Sequence, residues 1–501
     1  MSKEKKNKIK RRDFLAGFAT VPVLGMFGYG LFSQLDYQQM KKRFFSSEHN
    51  LNEFISENKS YLDDVQGDII KVGIIGTGRR GINLLQSLGC SEENTIVSGY
   101  GDLKIELVGV CDVYDKAAEK ALAMTANNKF IKNGRHIKPA VRYKHYQNML
   151  NDKNIDAVII STPDHWHAEM ILDAISAGKH IYVERCLTRT LPEIYKVRDA
   201  IKNSSIVFQY GNQNRHLQSN KVARQMMIQN ILGKVASVKT HTYRNTNAGV
   251  TIEELSKAIN PKDIDWKEWL GNSAAVPYSA KRFLGWRNYF DYGGGLHADL
   301  FSNEFDTVNQ VLSLGIPKSV NAMGGIFYDK IDRDTPDVFQ ASFDYPENQL
   351  LLTYDADLAN SNIIESKSKI KVKEIIGSEA WLKLDSNIVM YPDPNSDYYK
   401  NKIKENAADF AADDAASVQA VSSASEKMLA SLGMVSTFKN KSYVDVTYLH
   451  LREWLRGIRT GIVVSGTFNT AYQDTVTCLM ATKSYLENKR VRYNNKEDVV
   501  S

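Results

Sequence analysis

Cysteine is scarce in this 501-residue sequence, which contains only four, at Cys90, Cys111, Cys186 and Cys478. Their spacing matches neither a zinc-binding pair nor a disulfide framework. The sequence therefore predicts four buried free thiols and no metal site. Apart from one segment near the N-terminus, no run approaches the roughly 20 apolar residues that a membrane-spanning helix needs.

Outside the first twelve residues, positively and negatively charged residues are almost equal in number. Seven of those twelve are Lys or Arg and one is Glu, so this segment accounts for the whole net charge of +6. The rest of the chain is close to neutral and gives no indication of a nucleic-acid surface. A hydrophobic content of 43% and a charged content of 24% are typical of a globular protein. The length predicts two domains.

The basic segment is followed by an apolar run from Phe14 to Phe32. Arg11-Arg12 ahead of that run resembles a twin-arginine export signal, which carries folded proteins. We therefore expect an exported, periplasmic protein. Because no small-residue cleavage site follows Phe32, an uncleaved signal that anchors the protein in the membrane is the alternative. No other membrane contact is expected.

Strand and helix patterns alternate in the first part of the chain. Apolar runs at residues 69–75, 105–111 and 157–160 predict buried strands, and helix-forming stretches follow them. This alternation predicts right-handed parallel units on a doubly wound sheet.

A different pattern begins after about residue 200. Alternating apolar and polar residues at 235–243, 338–345, 350–354 and 368–376 predict a large, mostly antiparallel open sheet with few helices between its strands. Residues 407–431 predict a helical insertion. The predicted fold class is α/β: a signal or anchor at residues 1–35, a linker arm at 36–65, a Rossmann domain at 66–200, and an α+β domain at 201–494.

The first predicted strand ends in Gly76-Thr77-Gly78-Arg79-Arg80-Gly81, a phosphate-binding turn when it lies between a strand and a helix. The first glycine permits the tight turn, the second lets the backbone approach a pyrophosphate, and the third lets the helix pack on the strand. The N-terminus of that helix directs free N–H groups at the phosphates. This context predicts a dinucleotide site.

Asp112 ends the next predicted strand, where a carboxylate accepts hydrogen bonds from the adenosine ribose. A carboxylate there repels a 2′-phosphate, so the predicted cofactor is NAD. NADP is not excluded, because Arg79 and Arg80 would tolerate a phosphate. The separation between Gly81 and Asp112 exceeds the usual spacing of about 20 residues, which we attribute to a loop insertion.

Further motifs follow in a specific order. They are Ser-Thr-Pro-Asp-His-Trp-His-Ala at 161–168, Ala-Gly-Lys-His at 177–180, Glu-Arg-Cys-Leu-Thr at 184–188, Gly-Asn-Gln-Asn-Arg at 211–215, Asp-Trp-Lys-Glu-Trp-Leu-Gly at 265–271, Trp286-Arg287, and Tyr-Gly-Gly-Gly at 292–295. With them, roughly residues 71–494 resemble the Gfo/Idh/MocA family of NAD(P)-dependent oxidoreductases, and most of all its exported, long-form branch.

The resemblance implies a small carbohydrate substrate, held between the Rossmann domain and the large sheet, with hydride transfer between a ring carbon and the nicotinamide. It implies that the second domain binds substrate and mediates a homo-oligomer, a dimer or tetramer. It also implies that a set of residues shapes the cofactor site: Ser161, Thr162, Pro163, His165, His167, Glu184, Gln213, Trp286 and Arg287.

Two positions depart from the family pattern. The family's Glu-Lys-Pro triplet is Glu-Arg-Cys here, and Arg185 keeps the positive charge but does not release a proton at working pH. The family's Asp and His, four residues apart after the triple glycine, are Asp299 and Asn303, and an amide does not shuttle protons near neutral pH. His297 and Tyr292 are alternative proton carriers. All five are candidate catalytic residues.

Three functions stay open at this point. The first is an NAD(P)-dependent sugar oxidoreductase with altered catalytic residues. The second is a glycoside hydrolase or lyase that recycles bound NAD, since residues 292–300 loosely resemble such enzymes. The third is an inactive protein that binds carbohydrate and cofactor, which the residues at 185 and 303 suggest. Net reduction of added NAD favours the first function over the second, and sugar turnover that Asp299→Ala abolishes excludes the third.

Overall fold

The computed structural model describes residues 65–91, 101–128, 138–243, 256–257, 259–328, 333–358, 370–385, 388–393, 395–399, 436–438 and 445–501. The predicted export signal, the linker arm up to residue 64 and the predicted helical insertion at 407–431 lie outside these ranges. None of the described helices has the length and apolar character needed to cross a membrane.

A six-stranded parallel sheet with the strand order β3-β2-β1-β4-β5-β6 forms the first part of the chain, as predicted. Its strands are Ile70–Ile75 (β1), Ile105–Cys111 (β2), Val141–Tyr143 (β3), Ala157–Ile160 (β4), His180–Val183 (β5) and Phe208–Tyr210 (β6). The helices between them are Arg79–Ser87 (α1), Asp115–Ala126 (α2), Tyr146–Asn151 (α3), Asp164–Ser176 (α4) and Leu191–Ile201 (α5). The strand order reverses beside β1, which opens a crevice at the carboxyl ends of β1 and β4.

The second sheet has ten strands among the described residues, in the order β14-β13-β12-β11-β7-β10-β9-β8-β15-β16. They are Val235–Tyr243 (β7), Ser319–Gly325 (β8), Val338–Tyr345 (β9), Leu350–Asp357 (β10), Ile370–Gly377 (β11), Ala380–Leu384 (β12), Ile388–Pro392 (β13), Ser436–Phe438 (β14), Val491–Asn494 (β15) and Val499–Val500 (β16). Only β7 and β10 pair in parallel, so the predicted mostly antiparallel sheet is confirmed.

Several helices accompany this sheet. They are Gln218–Ile228 (α6), Trp266–Leu270 (α7), Ala280–Leu284 (α8), Gly295–Leu312 (α9), Val446–Thr460 (α10) and Phe468–Glu487 (α11). Helices α9 and α11 cover one face of the sheet. Phe301 of α9 stacks on Phe343 with ring centroids 4.6 Å apart, and Leu352 and Tyr354 of β10 are buried in the same core. The alternating burial of β10 is the period-2 pattern of a sheet covered on one face.

The first structural unit differs from the predicted range 66–200 at its C-terminal side. The parallel sheet continues to β6, and helix α10 returns from the C-terminal region to pack on the Rossmann core. Leu451, Trp454 and Leu455 of α10 are buried in one cluster with Val72 and Ile74 of β1. The parallel sheet therefore extends past residue 200, and a helix from the C-terminal region of the chain contributes to its core.

Candidate functional site

A cleft of about 590 Å³ lies at the carboxyl ends of the parallel strands, between the glycine turn and the start of α9. Open α/β sheets bind their ligands at such a reversal of strand order. Of the residues predicted from sequence, the lining includes Gly76, Gly78, Arg79, Arg80, Asp112, Ser161, Thr162, Pro163, Glu184, Arg185, Gln213, Trp286, Arg287 and Asp299.

The three glycines of the turn differ in what a side chain at each position would meet. Gly76 has φ +84°, and a Cβ there would lie 2.8 Å from the backbone carbon of Ser161. A Cβ on Gly81 would lie 2.3 Å from the Gly76 carbonyl oxygen. By contrast, no described atom lies within 4 Å of a Cβ built on Gly78. Gly76 and Gly81 are therefore required by packing, whereas Gly78 leaves space at the N-terminus of α1 for a phosphate to approach.

Asp112 is held in place by the glycine turn. Its carboxylate accepts hydrogen bonds from the Thr77 backbone N–H at 2.6 Å and hydroxyl at 3.0 Å, and from the Tyr114 N–H at 2.8 Å. Burial raises the pKa of Asp112, and these hydrogen bonds limit the rise. The side chain of Thr77 thus orients Asp112, while Asp112 itself lines the cleft.

Glu184 links three segments around the cleft. Its Oε1 atom accepts from Arg80 Nε at 2.9 Å and from Gln213 Nε2 at 2.8 Å. Gln213 Nε2 also lies 2.6 Å from the Tyr182 hydroxyl. These bonds join the glycine turn, the end of β5 and the turn after β6, so Glu184 and Gln213 stabilise the shape of the cleft as well as lining it.

His165 and His167, both predicted beside the cofactor, do not line the cleft. His165 Nε2 lies 2.9 Å from the Trp269 carbonyl oxygen, and His167 Nε2 lies 2.9 Å from that of Thr162. Burial lowers the pKa of His165 to about 4 and also lowers the pKa of His167. This geometry favours a positioning role for both rings, while Trp166 between them does line the cleft.

Arg185 lines the cleft with unused hydrogen-bonding capacity. Its Nε and Nη1 atoms are buried and have no hydrogen-bond partner in the described part of the chain. Burial lowers the pKa of Arg185, but the electrostatic effect of the neighbouring Glu184, Tyr210 and Asp299 is larger, so the pKa is raised overall. A buried, permanently charged donor without a partner is suited to a polar or anionic oxygen of a ligand.

Asp299 lies beside a second arginine. Arg287 Nε is 3.2 Å from Asp299 Oδ1, and the Arg287 guanidinium carbon lies 4.0 Å from the centre of the Trp286 ring. This stacking and pairing orient Arg287 and fix the Asp299 carboxylate at the edge of the cleft.

Asp164 was not singled out from the sequence, although it lies within the 161–168 motif. It is buried, it accepts a hydrogen bond from the Cys186 N–H at 3.3 Å, and Arg287 and Asp299 are close enough to influence its titration. Burial raises the pKa of Asp164 to about 7, and Arg287 opposes that rise. Its position in the first turn of α4 is the only sequence signal for it.

Two of the other candidate catalytic residues, Asn303 and Tyr292, do not line the cleft. Asn303 accepts a hydrogen bond from Asn214 Nδ2 at 3.1 Å, and it does not line the cleft. The Tyr292 hydroxyl accepts from Arg282 at 3.2 Å, and its ring packs 4.6 Å from that of Trp269, also outside the lining. His297 belongs to α9, but its side chain lies outside the described residues. The structure therefore brings together Arg185 and Asp299.

Several cleft residues carry no recognisable motif. They are Asn83, Lys144, Tyr146, Met170 and Phe283. Lys144 directly follows β3. Its position at the carboxyl end of a parallel strand is the sequence feature from which it could have been predicted as a cleft residue.

The lining fits a nicotinamide dinucleotide. The space at Gly78 and the N-terminus of α1 suit a pyrophosphate, Arg79 and Arg80 supply positive charge, and Asp112 suits a ribose. Trp166, Trp286 and Met170 add the apolar surface that rings require.

Two family descriptions match the chain in sequence. "Oxidoreductase family, NAD-binding Rossmann fold" matches residues 70–212, and "Oxidoreductase family, C-terminal alpha/beta domain" matches residues 216–419. Together they span most of the chain, which belongs to the Gfo/Idh/MocA family of oxidoreductases and has that family's NAD-binding Rossmann domain.

Curated relatives match over a short part of their length. An alpha-N-acetylgalactosaminidase of Shewanella oneidensis is 31% identical over 140 residues, which is 27% of this chain and 27% of the relative. A glycosyl hydrolase family 109 protein of another Shewanella is 32% identical over 140 residues, with the same coverage of both chains.

Solved structures share the fold at lower identity. The WlbA dehydrogenase of Bordetella pertussis, in complex with NADH and UDP-GlcNAcA, has a TM-score of 0.58 at 14% identity, covering 86% of this chain and 99% of its own. A levoglucosan dehydrogenase, in complex with NADH and levoglucosan, has a TM-score of 0.56 at 15% identity, covering 85% and 99%.

Proposed function

We propose that this protein is an exported, NAD-dependent oxidoreductase that transfers a hydride to or from a sugar or sugar derivative. The observation that carries the proposal is that two buried nitrogen atoms of Arg185 have no hydrogen-bond partner among the described residues, in a cleft that Asp299 also lines. Export and a homo-oligomeric state are also part of the proposal, and both rest only on the sequence.

NAD supplies, when bound, an acceptor or donor of hydride. The glycine turn and Asp112 would hold it, and the carboxylate of Asp112 favours NAD over NADP. Arg185 donates hydrogen bonds to the reacting oxygen of the sugar and stabilises negative charge on it. Asp299, oriented by Arg287, accepts the hydroxyl proton, a task that Arg185 cannot perform.

The test is a panel of sugars, sugar acids and nucleotide sugars mixed with the full-length protein and NAD, followed by NADH fluorescence. Asp299→Ala should abolish any signal that the wild type gives. Asp263→Ala, at a partly exposed carboxylate paired with Lys116 at 3.3 Å outside the cleft, is the matched control. Turnover that survives Asp299→Ala would contradict the assignment of the proton acceptor.

A second candidate is an NAD-recycling glycosidase. The observation in its favour is the similarity of 140 residues to proteins named as an alpha-N-acetylgalactosaminidase and as glycosyl hydrolases. The same Arg185 would then donate hydrogen bonds to the oxygen on the oxidised ring carbon and stabilise the enolate that forms when the neighbouring carbon loses a proton. The leaving group would depart from the next carbon, water would take its place, and the hydride would return to the ring, so that no net NADH forms. Release of a chromophore from aryl N-acetylgalactosaminides without added NAD, and without net NADH formation, would favour this candidate over the first.

A third candidate, a cofactor-binding protein without catalysis, is tested by the same assays. Sugar turnover that depends on Asp299 excludes it, and NAD binding with no turnover on either panel supports it.

A further inference from the structure

Two histidines and a glutamate converge outside the cleft lining, between the turn Gln213–His216 and helix α10. His216 Nε2 lies 3.4 Å from Glu453 Oε2, and His450 Nδ1 lies 4.0 Å from the same oxygen. The three candidate ligand atoms lie within 4.8 Å of one another. His216 is distant in sequence from the other two, so the fold alone brings them together.

The hydrogen bonding of His450 leaves one ring nitrogen available. The side chain is fully buried, and its Nε2 atom lies 2.8 Å from the Tyr210 carbonyl oxygen. A carbonyl can only accept, so in the neutral ring Nε2 carries the proton and Nδ1 presents a lone pair. Nδ1 has no hydrogen-bond partner in the described part of the chain. A metal-bound histidine usually has this arrangement, with its other N–H donated to a carbonyl or carboxylate.

Glu453 and His216 face the same point. Glu453 Oε2 accepts from the Ser465 backbone N–H at 2.9 Å and hydroxyl at 2.6 Å, which orients the carboxylate. His216 Nε2 is buried and makes no hydrogen bond of good geometry with a described residue. The His216 and Glu453 side chains are 14% and 23% exposed, which gives an ion a path from solvent.

The charge around the cluster permits a cation. Arg215 is the neighbouring positive group, but its Nε atom donates to the buried Asp306 carboxylate at 2.7 Å and its charge is offset there. The cluster itself contributes one carboxylate and two imidazoles.

We propose that His216, His450 and Glu453 bind one Zn²⁺ ion. Two imidazoles and one carboxylate form a donor set typical of zinc, with a fourth position for water. In a tetrahedral site with bonds near 2.0 Å the ligand atoms lie about 3.3 Å apart, so the side chains close by roughly 1 Å or less on average when the ion enters. The expectation of no metal site considered cysteine spacing and did not include this cluster.

The ion would cross-link α10 to the turn that carries Gln213. Gln213 in turn donates to Glu184 at the cleft, so zinc would stabilise the cleft wall without touching a ligand there. This inference does not depend on which reaction the cleft performs.

The test uses the full-length protein, stripped with a chelator and then titrated with Zn²⁺, with Co²⁺ as a spectroscopic probe. We expect one ion per chain, a higher unfolding temperature with zinc, and a visible absorption band with Co²⁺. His216→Ala and Glu453→Gln should each weaken zinc binding at least tenfold and remove the band. Both residues are partly exposed, so these variants should fold where a His450 variant would not. The matched control is His145→Gln, because His145 lies 3.5 Å from Glu268 outside any three-ligand cluster of the described residues.

Two results would overturn the proposal. One is a folded wild-type chain that retains no stoichiometric zinc after dialysis. The other is zinc binding by His216→Ala and Glu453→Gln that equals that of the wild type. NAD binding, followed by fluorescence in the same samples, separates a loss of the metal site from a loss of the cleft.

Discussion

The cleft has a cofactor half and a reaction half, which differ in the chemical groups that form them. The cofactor half consists mainly of backbone, the glycine turn and the N-terminus of α1, together with the Asp112 carboxylate, which is hydrogen-bonded to backbone N–H groups. The reaction half is lined by the ionisable side chains of Arg185, Arg287 and Asp299, with buried donors of Arg185 that have no partner among the described residues, and Asp164 lies near Arg287 and Asp299. A short local sequence determines the first half, whereas the second depends on pairings between distant segments.

The largest expected effect is on stability and concerns the buried charged residues near the reaction half of the cleft. Arg215 pairs with Asp306, and both side chains are almost inaccessible to solvent. Asp306→Asn leaves the arginine charge buried and unpaired, so we expect the free energy of unfolding to fall by about 3–5 kcal/mol, measured by urea denaturation.

The matched control is Asp474→Asn in the same cluster. Burial, and after it the neighbouring Asp306, raise the pKa of Asp474 well above its ordinary value, which favours the neutral carboxyl that an amide replaces closely. A loss below about 1 kcal/mol is expected for this isosteric change. Equal losses in the two variants would contradict the assignment of the charge to Asp306.

A second experiment uses the pKa of about 7 of Asp164. Because burial raises this pKa in the folded state, the contribution of Asp164 to stability is complete below about pH 4 and is lost as pH rises through 7. Asp164→Asn stays neutral, so relative to the wild type it should gain stability between pH 4 and pH 8, on the order of 3 kcal/mol. Thermal unfolding at both pH values measures the gain, and parallel pH profiles for the two proteins would disprove it.

A third experiment separates the two halves directly and assumes that an active substrate has been found. Arg185→Ala should lower kcat/KM by about 100-fold or more, because a buried donor to the reacting oxygen is lost. NAD affinity should change little, because the turn and Asp112 are untouched. Arg185→Lys should retain part of the activity. A large loss of NAD affinity with unchanged kcat would instead assign Arg185 to the cofactor half.

The smallest expected effect compares two glycines of the cofactor half. Gly81→Ala forces a Cβ against the Gly76 carbonyl, so a loss of about 1–3 kcal/mol in stability is expected. Gly78→Ala meets no described atom within 4 Å and should leave stability unchanged, but it should weaken NAD binding because the new methyl group occupies the space for the phosphates. Unfolding curves and NAD titrations of both variants test these two predictions. NAD binding by Gly78→Ala that equals that of the wild type would contradict the role assigned to Gly78.

Much of the fold could be predicted from the sequence. The runs at 105–111, 157–160, 235–243 and 338–345 coincide with β2, β4, β7 and β9. Helix α4 begins at Asp164, because Pro163 and the acidic Asp164 suit a helix N-terminus. Helices α7 and α8 were missed because each has only five residues, too few to show a helical period.

The candidate site was predicted unevenly, and for a physical reason. The cofactor half follows from strand, turn and helix within a few tens of residues, where motif and geometry correspond directly. In the reaction half, the presence of Arg185 and Asp299 was predicted, but not that Asn303 bonds Asn214 or that Tyr292 packs against Trp269. Direction and partners of a side chain depend on what the fold places beside it.

By itself, the sequence determined the two-sheet architecture, the dinucleotide turn and the carboxylate after β2, because hydrophobic period and the steric needs of glycine act locally. Only the tertiary structure decided that α10 packs on the Rossmann core, that Asp164 titrates near pH 7, and that His216 meets His450 and Glu453. Each of these results depends on contacts between segments far apart in the chain, and burial and proximity of that kind exist only once the chain has folded.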